Sequence, residues 1–188
     1  MATSNTDICN LALKALGLDP ISSLATDTSQ AGIILRNTWE ATRDAILRAA
    51  NWRCLLSRSG SLAREAAAPS FGYSYAYALP TDCIRVMEMS VDAAWEVEGR
   101  LLLTDEEEAY IRYVAYNKTA DQVALFDGHL TKAIVAQLAV DIAPGLKSKS
   151  LVPQLEVIAR DRLADAKVFS AIEARPKQAT CTALLDVR

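Results

Sequence analysis

A chain of 188 residues fits one domain, or one body carrying an inserted subdomain, and with 51% hydrophobic residues it can bury a real core. A formal charge of -3 gives no general drive toward nucleic acid, because counterion release needs basic residues gathered on one face. No stretch is apolar enough, for long enough, to span a bilayer, and the start of the chain lacks a basic-then-apolar secretory pattern.

Thr6 is the expected N-cap of a first helix, with Asp7 in its first turn. Ile8, Leu11, Ala12, Ala15 and Leu16 form its apolar stripe, and Gly17 and Pro20 end it. A second, longer helix starts near Thr28 or Ser29 and runs to about Ala50, with Ile33, Ile34, Trp39, Ile46 and Leu47 as its large apolar groups and Arg36, Arg43 and Asp44 on a polar side. Asn51 breaks it, and Trp52 can fold back onto the bundle. Trp39 and Trp52 read as core anchors, with a partner-facing role as the other reading.

The character changes after Trp52. Residues 56–64 alternate imperfectly. Tyr73, Tyr75, Tyr77 and Leu79 recur with period two, a strand signal that places three tyrosines on one face. Ile84, Val86 and Met87 begin another strand after the Pro80-Thr81-Asp82 turn, although Met87 breaks strict alternation. Trp95 to Val97, Glu98-Gly99 and Arg100 to Leu103 read as a short hairpin. Glu106, Glu107 and Glu108 read as a solvated loop. In a last strand Ile111, Tyr113 and Ala115 share one face, and Arg112, Val114 and Tyr116 the other.

Helical periodicity returns after Asp121. Phe126 and Leu130 can staple across an Asp127 cap, and Ile134, Val135, Leu138, Ala139 and Ile142 give a broad apolar face ending at Pro144-Gly145. Leu146 to Ser150 is a polar linker. The final helix begins near Leu151 to Pro153 and packs through Leu155, Ile158, Ala159, Leu163, Ala166 and Val168. Residues 177–188 have no clear partner within the chain; a disordered tail and a tail docked on another subunit are both open readings.

The expected fold class is α+β: a four-helix body formed by both chain ends (1–54 and 119–175), a β-rich platform (55–118) inserted between helices two and three, and a C-terminal tail (176–188). Two helices hide broad apolar stripes less well than four, so the chain ends are expected to meet.

Motifs for chemistry are sparse. A nucleophile elbow, a Walker phosphate loop and a dinucleotide-binding glycine pattern are all absent from the sequence. His129 is the single histidine and reads as a first-turn residue rather than a catalytic base. The contiguous Glu106 to Glu108 lack calcium-loop spacing. Asp161 and Asp165 sit among Arg160, Arg162 and Lys167 as ordinary helix surface. Cys9, Cys54, Cys83 and Cys181 make no compact metal spacing, and Cys9 and Cys83 read as buried thiols of a reducing cytoplasm. The expectation is therefore no enzyme, no metal and no cofactor.

Several strings, in order, carry a resemblance. Ile8-Cys9-Asn10-Leu11-Ala12-Leu13, Arg43-Asp44, Asn51-Trp52, Phe71-Gly72, Tyr77-Ala78-Leu79-Pro80-Thr81-Asp82-Cys83-Ile84-Arg85-Val86, Glu98-Gly99, Arg112-Tyr113 and Phe126-Asp127 resemble the tubular tail protein A and head–tail connector adaptor family of tailed bacteriophages. The resemblance spans roughly residues 7–170. It implies a virion protein, made in the host cytoplasm, that forms a ring at the head–tail junction. The ring lies between the portal protein and the tail tube or nozzle, closes the filled head, and lets double-stranded DNA pass without sequence-specific binding. Twelve copies are the family's expectation. The resemblance also assigns roles: Leu11, Leu16, Ile34, Trp39 and Trp52 to the core of the body; Tyr77, Leu79, Ile84, Val86 and Tyr113 to the platform; Arg160, Arg162, Lys167, Arg175, Leu184 and Leu185 to the portal contact. A phage assembly chaperone or interaction module is the alternative.

Overall fold

A computed structural model describes residues 4–117, 122–146 and 148–173. Four helices flank six strands: α1 (Asn5–Ala15), α2 (Gln30–Arg48), β1 (Leu56–Arg58), β2 (Tyr75–Ala78), β3 (Cys83–Met89), β4 (Trp95–Glu98), β5 (Leu101–Thr104), β6 (Ile111–Ala115), α3 (Gly128–Ile142) and α4 (Val152–Ile172). The fold is α+β, with two helices from each chain end and the strands between α2 and α3. Short 3-10 turns precede β1, α3 and α4.

The helix ends follow from local side chains. Ser4, rather than Thr6, caps α1: its hydroxyl accepts the Asp7 N–H at 3.1 Å, and the Asp7 carboxylate accepts the Ser4 N–H at 3.1 Å. The Thr6 hydroxyl instead accepts the Leu24 N–H at 3.1 Å, tying the following loop to the helix. Ser29 caps α2 through the Gly32 N–H. A Cβ at Gly32 would meet Asp27 atoms at 2.7–2.9 Å, so the loop lies directly on the helix there. Asp127 caps α3, accepting from the N–H groups of His129 and Leu130 at 2.8 Å each. Pro153 occupies the first turn of α4, where a missing amide proton costs nothing.

α3 is central to the body and packs against α1, α2 and α4. Its Leu130, Ile134, Leu138 and Ile142 are fully buried. Trp39, Trp52 and Leu16 lie in the same core. The Trp52 indole N–H donates to the Ile46 carbonyl at 2.9 Å, which folds the chain back across the end of α2. One expected core residue needs correction, and another packs at the edge of the core. Leu11 is 41% exposed, because α1 turns Ile8, Cys9, Ala12, Leu13 and Leu16 inward and leaves Leu11 and Ala15 outward. Ile34 is half-buried; Leu35 is the residue α2 drives into the core, while Ile34 closes on Gly145 at the end of α3. On α4 the expected stripe also shifts: Leu155, Ala159, Ala166 and Ser170 are buried, and Ile158 and Val168 are exposed.

The strands make two three-stranded antiparallel sheets, ordered β1-β6-β3 and β2-β5-β4. The first is the middle layer. One face gives Ile84, Val114 and Tyr116 to the body core; the other gives Val86, Met89, Ile111 and Tyr113 to a second core shared with Tyr77 and Leu102 of the other sheet. The two faces expected for β6 are thus the observed ones. Ile84 is corrected from the platform interior to the body side. The cause is irregular pairing in β3, with register shifts between Cys83 and Arg85 and between Val86 and Glu88. Leu79 packs half-buried against the platform core. Only Tyr75 and Tyr77 of the tyrosine series lie in β2; Tyr77 is buried, and Tyr75 is covered by the Arg64 guanidinium 3.9 Å from its ring centroid.

β4 and β5 join through Gly99-Arg100, and Gly99 takes the φ of +59° that this two-residue turn requires. β4 is an edge strand, with Glu96, Val97 and Glu98 exposed.

Candidate functional site

No concentrated polar centre emerges among the described residues; the distinctive features are an uncovered trough and a bare helix flank. Leu11 and Ala15, displaced from the core, line that trough. A cavity of about 710 Å³ runs between α1 and the start of α3, bordered by Leu11, Leu18 and Phe126 with Lys14 and Lys132 at its rim. A second, of about 450 Å³, runs between α1, α3 and α4 along Val135, Leu155 and Ile158, with Arg162 at its rim. Both are lined by Leu11, Thr131 and Lys132, so they form one continuous apolar trough with a mostly cationic edge.

The expected portal-contact residues divide. Arg160 and Lys167 are exposed and seven residues apart, hence on one flank of α4. Arg162 lies on the other flank, beside the trough. Arg175, Leu184 and Leu185 lie outside the described residues, as do Cys181 and the tail at 176–188. Between the two flanks α4 exposes Val157, Val168, Phe169 and Ile172. The His129 ring stacks on Phe169 with centroids 3.8 Å apart and planes 17° apart, so the histidine pins α4 to the start of α3. Ser170 secures the same end: its hydroxyl accepts the Arg53 N–H at 3.0 Å and donates to the Asn51 carbonyl at 3.2 Å.

Phe71, which the sequence ties to no element, is 88% exposed in the loop before β2. The available sequence signal was a large aromatic beside Gly72 in a segment with no strand or helix period to bury it.

The arginine expected on a polar side of α2 is internal. Arg43 is 2% exposed, with its guanidinium carbon 4.7 Å from the Tyr116 ring centroid and 5.8 Å from that of Trp39. Its Nε donates to the Asp44 carboxylate at 2.9 Å, and Nη2 makes an ion-pair contact to the same oxygen without hydrogen-bond geometry. Arg43 therefore packs inside the protein between Trp39 of α2 and Tyr116 after β6. Arg36 is likewise committed, donating to the Leu24 and Asp27 carbonyls at 3.0 and 2.5 Å.

Burial pushes the Cys9 thiol up to about 12 and the Cys54 thiol up to about 11, and raises Cys83 as well. These three are free, protonated packing groups. Among the described residues no three His, Cys, Asp or Glu side chains converge as a metal site, and no helix is long and apolar enough to cross a membrane. No family model matches the chain, and no curated protein is significantly similar to it.

Proposed function

We propose that the chain is a structural head–tail adaptor of a tailed bacteriophage. In this reading it forms a homo-oligomeric ring between portal and tail tube or nozzle, closes the filled head and lets DNA pass. The observation that carries it is the uncovered apolar surface of the helical body: the α1/α3/α4 trough together with the bare flank of α4. An apolar trough beside a helix flank that exposes Val157, Val168, Phe169 and Ile172 supports protein contact as the role of this surface. The ordered resemblance between residues 7 and 170 supplies the kind of contact. Arg160, Arg162 and Lys167 are then the described members of the portal-facing set.

The test is solution mass by light scattering, alone and after mixing with portal rings of the same virus, followed by electron imaging. A discrete added ring at the portal mouth supports the reading and counts its copies. Folded protein that never associates with intact portals overturns it and favours a distal tail component or an assembly factor.

A further inference from the structure

The platform carries opposite charges at the two ends of β5. At one end, Arg100 enters a cleft of about 260 Å³ between the end of α2 and the two sheets, lined also by Arg48 and Arg85 and running along β4 past Val97 to Trp95, the partner of Thr104. No Asp or Glu lines it. Among the described residues the ion pairs are Arg43–Asp44 and Arg112–Glu88, so these three guanidinium groups have no carboxylate partner. Two of them are held in place by backbone: Arg100 donates to the Cys83 carbonyl at 2.8 Å and to that of Pro80, and Arg85 donates to the Arg48 carbonyl at 3.3 Å. The nearby Asp82 receives the Tyr113 hydroxyl at 3.2 Å. Glu96 and Glu98 alternate with Trp95 and Val97 along β4 and so point to its other face.

At the far end of β5, four residues or about 14 Å along the strand, the chain enters Asp105-Glu106-Glu107-Glu108, all exposed. Asp105 accepts from the Ser74 N–H and hydroxyl at 2.8 Å, and Glu108 accepts the Tyr110 hydroxyl at 2.8 Å. The loop is anchored as well, because the Tyr77 hydroxyl donates to the Glu106 carbonyl at 2.7 Å. Glu106 and Glu107 thus stand out on a fixed backbone.

The geometry points to a head-to-tail contact between copies of this chain, in which the Glu106–Glu107 loop of one copy seats in the Arg48/Arg85/Arg100 cleft of the next. Arg100 and Asp105 flank opposite ends of β5 and the acidic loop is tied to its own fold, so the cleft and loop of one copy are complementary surfaces that successive copies of a rotationally repeated assembly can bring together. An acidic loop that every copy carries, exposed at Glu106 and Glu107, is the complementary occupant the chain itself supplies. This inference rests on the ring reading above and names the platform contact within it.

The experiment uses the full chain with portal rings, read by light scattering and electron imaging, with circular dichroism to confirm folding. One variant combines Arg48→Glu with Arg85→Glu; the other combines Glu106→Lys with Glu107→Lys. Arg100, Asp105 and Glu108 stay, because each makes a hydrogen bond at 2.8 Å within its own fold, whereas Arg85 makes one longer bond at 3.3 Å. Each variant alone should lose ring assembly by about tenfold or more, since every contact becomes like-charged. An equimolar mixture should restore it, because each variant's cleft then fits the other's loop. Wild-type rings should weaken as salt rises from about 0.1 M to about 1 M, a measurement that needs no variant. Rings that form equally well with either variant and ignore salt overturn the inference and leave the adaptor reading standing. Rings that persist while a double-stranded DNA affinity is lost with the arginine variant also overturn it, assigning the cleft to phosphate. Wild-type protein that forms no ring on portals overturns both.

Discussion

Arg43 shows how one residue can join two layers. Its guanidinium lies against Trp39 of α2 and Tyr116, which follows β6, and fills space that no water-exposed charge would occupy. Arg43→Ala removes that volume and should destabilise the fold by about 2–4 kcal/mol, whereas Arg43→Met keeps most of the packing and should cost less than half as much. Urea midpoints of the two variants decide the point; equal losses would mean that the charge over the rings, and not the packed volume, is what matters. Cys9 makes a separate prediction in alkaline solution. Its folded value of about 12 lies above the ordinary 9.0. Between those values the unfolded chain gives up the thiol proton and the folded chain keeps it, so stability is full below pH 9 and falls as pH rises through that window. From pH 8 to pH 10 the parent should lose about 1 kcal/mol more than Cys9→Ala, read from paired urea titrations. Identical losses would show that Cys9 gains solvent in the folded protein.

Among the elements, α4 depends on a single hydroxyl at its end. Ser170 is buried and serves both the Arg53 N–H and the Asn51 carbonyl, so Ser170→Ala leaves both groups with a lost partner. The expected cost is about 1–3 kcal/mol, with faster amide hydrogen exchange at Arg53 and little change in α1; uniform change across the chain would contradict a local tie. Element identity was readable where local chemistry fixes it. The caps at Ser29 and Asp127, Pro153 in the first turn, the Gly99 turn and the alternating faces of β6 all follow from near neighbours. The face of α1 was misjudged because Leu11 and Ala15 fit a helical stripe as well as Cys9 and Leu13 do, and only α3 decides between them. β3 defeated alternation through its two register shifts, which sent Ile84 to the body. Arg43 looked solvent-facing because its cover, Tyr116, lies far along the chain. Of the candidate surfaces, the cations on α4 were visible as surface charge. The trough and the arginine cleft were not, since each is assembled from three or more elements distant in sequence.

Across the whole molecule, β6 and β3 belong to two cores at once. Val114 and Tyr116 sit in the body core, while Ile111 and Tyr113 of the same strand region sit in the platform core. Losing either side strips one face of the shared sheet, so body and platform should unfold together. Tryptophan fluorescence, which reports Trp39 and Trp52 in the body and Trp95 in the platform, should give the same denaturant midpoint as far-ultraviolet circular dichroism. Two separated transitions would show that the layers are independent.

The free edge of the second sheet has a consequence for symmetry. β4 pairs with β5 on one side only and presents Glu96 and Glu98 beside its unpaired outer edge. Two such edges meeting about a two-fold axis would bring four carboxylates together, so mutual strand pairing is self-repelling. That closes the simplest route to a dead-end dimer or a growing sheet. A ring of the proposed kind, built on contacts between unlike surfaces, would not compete with that pairing.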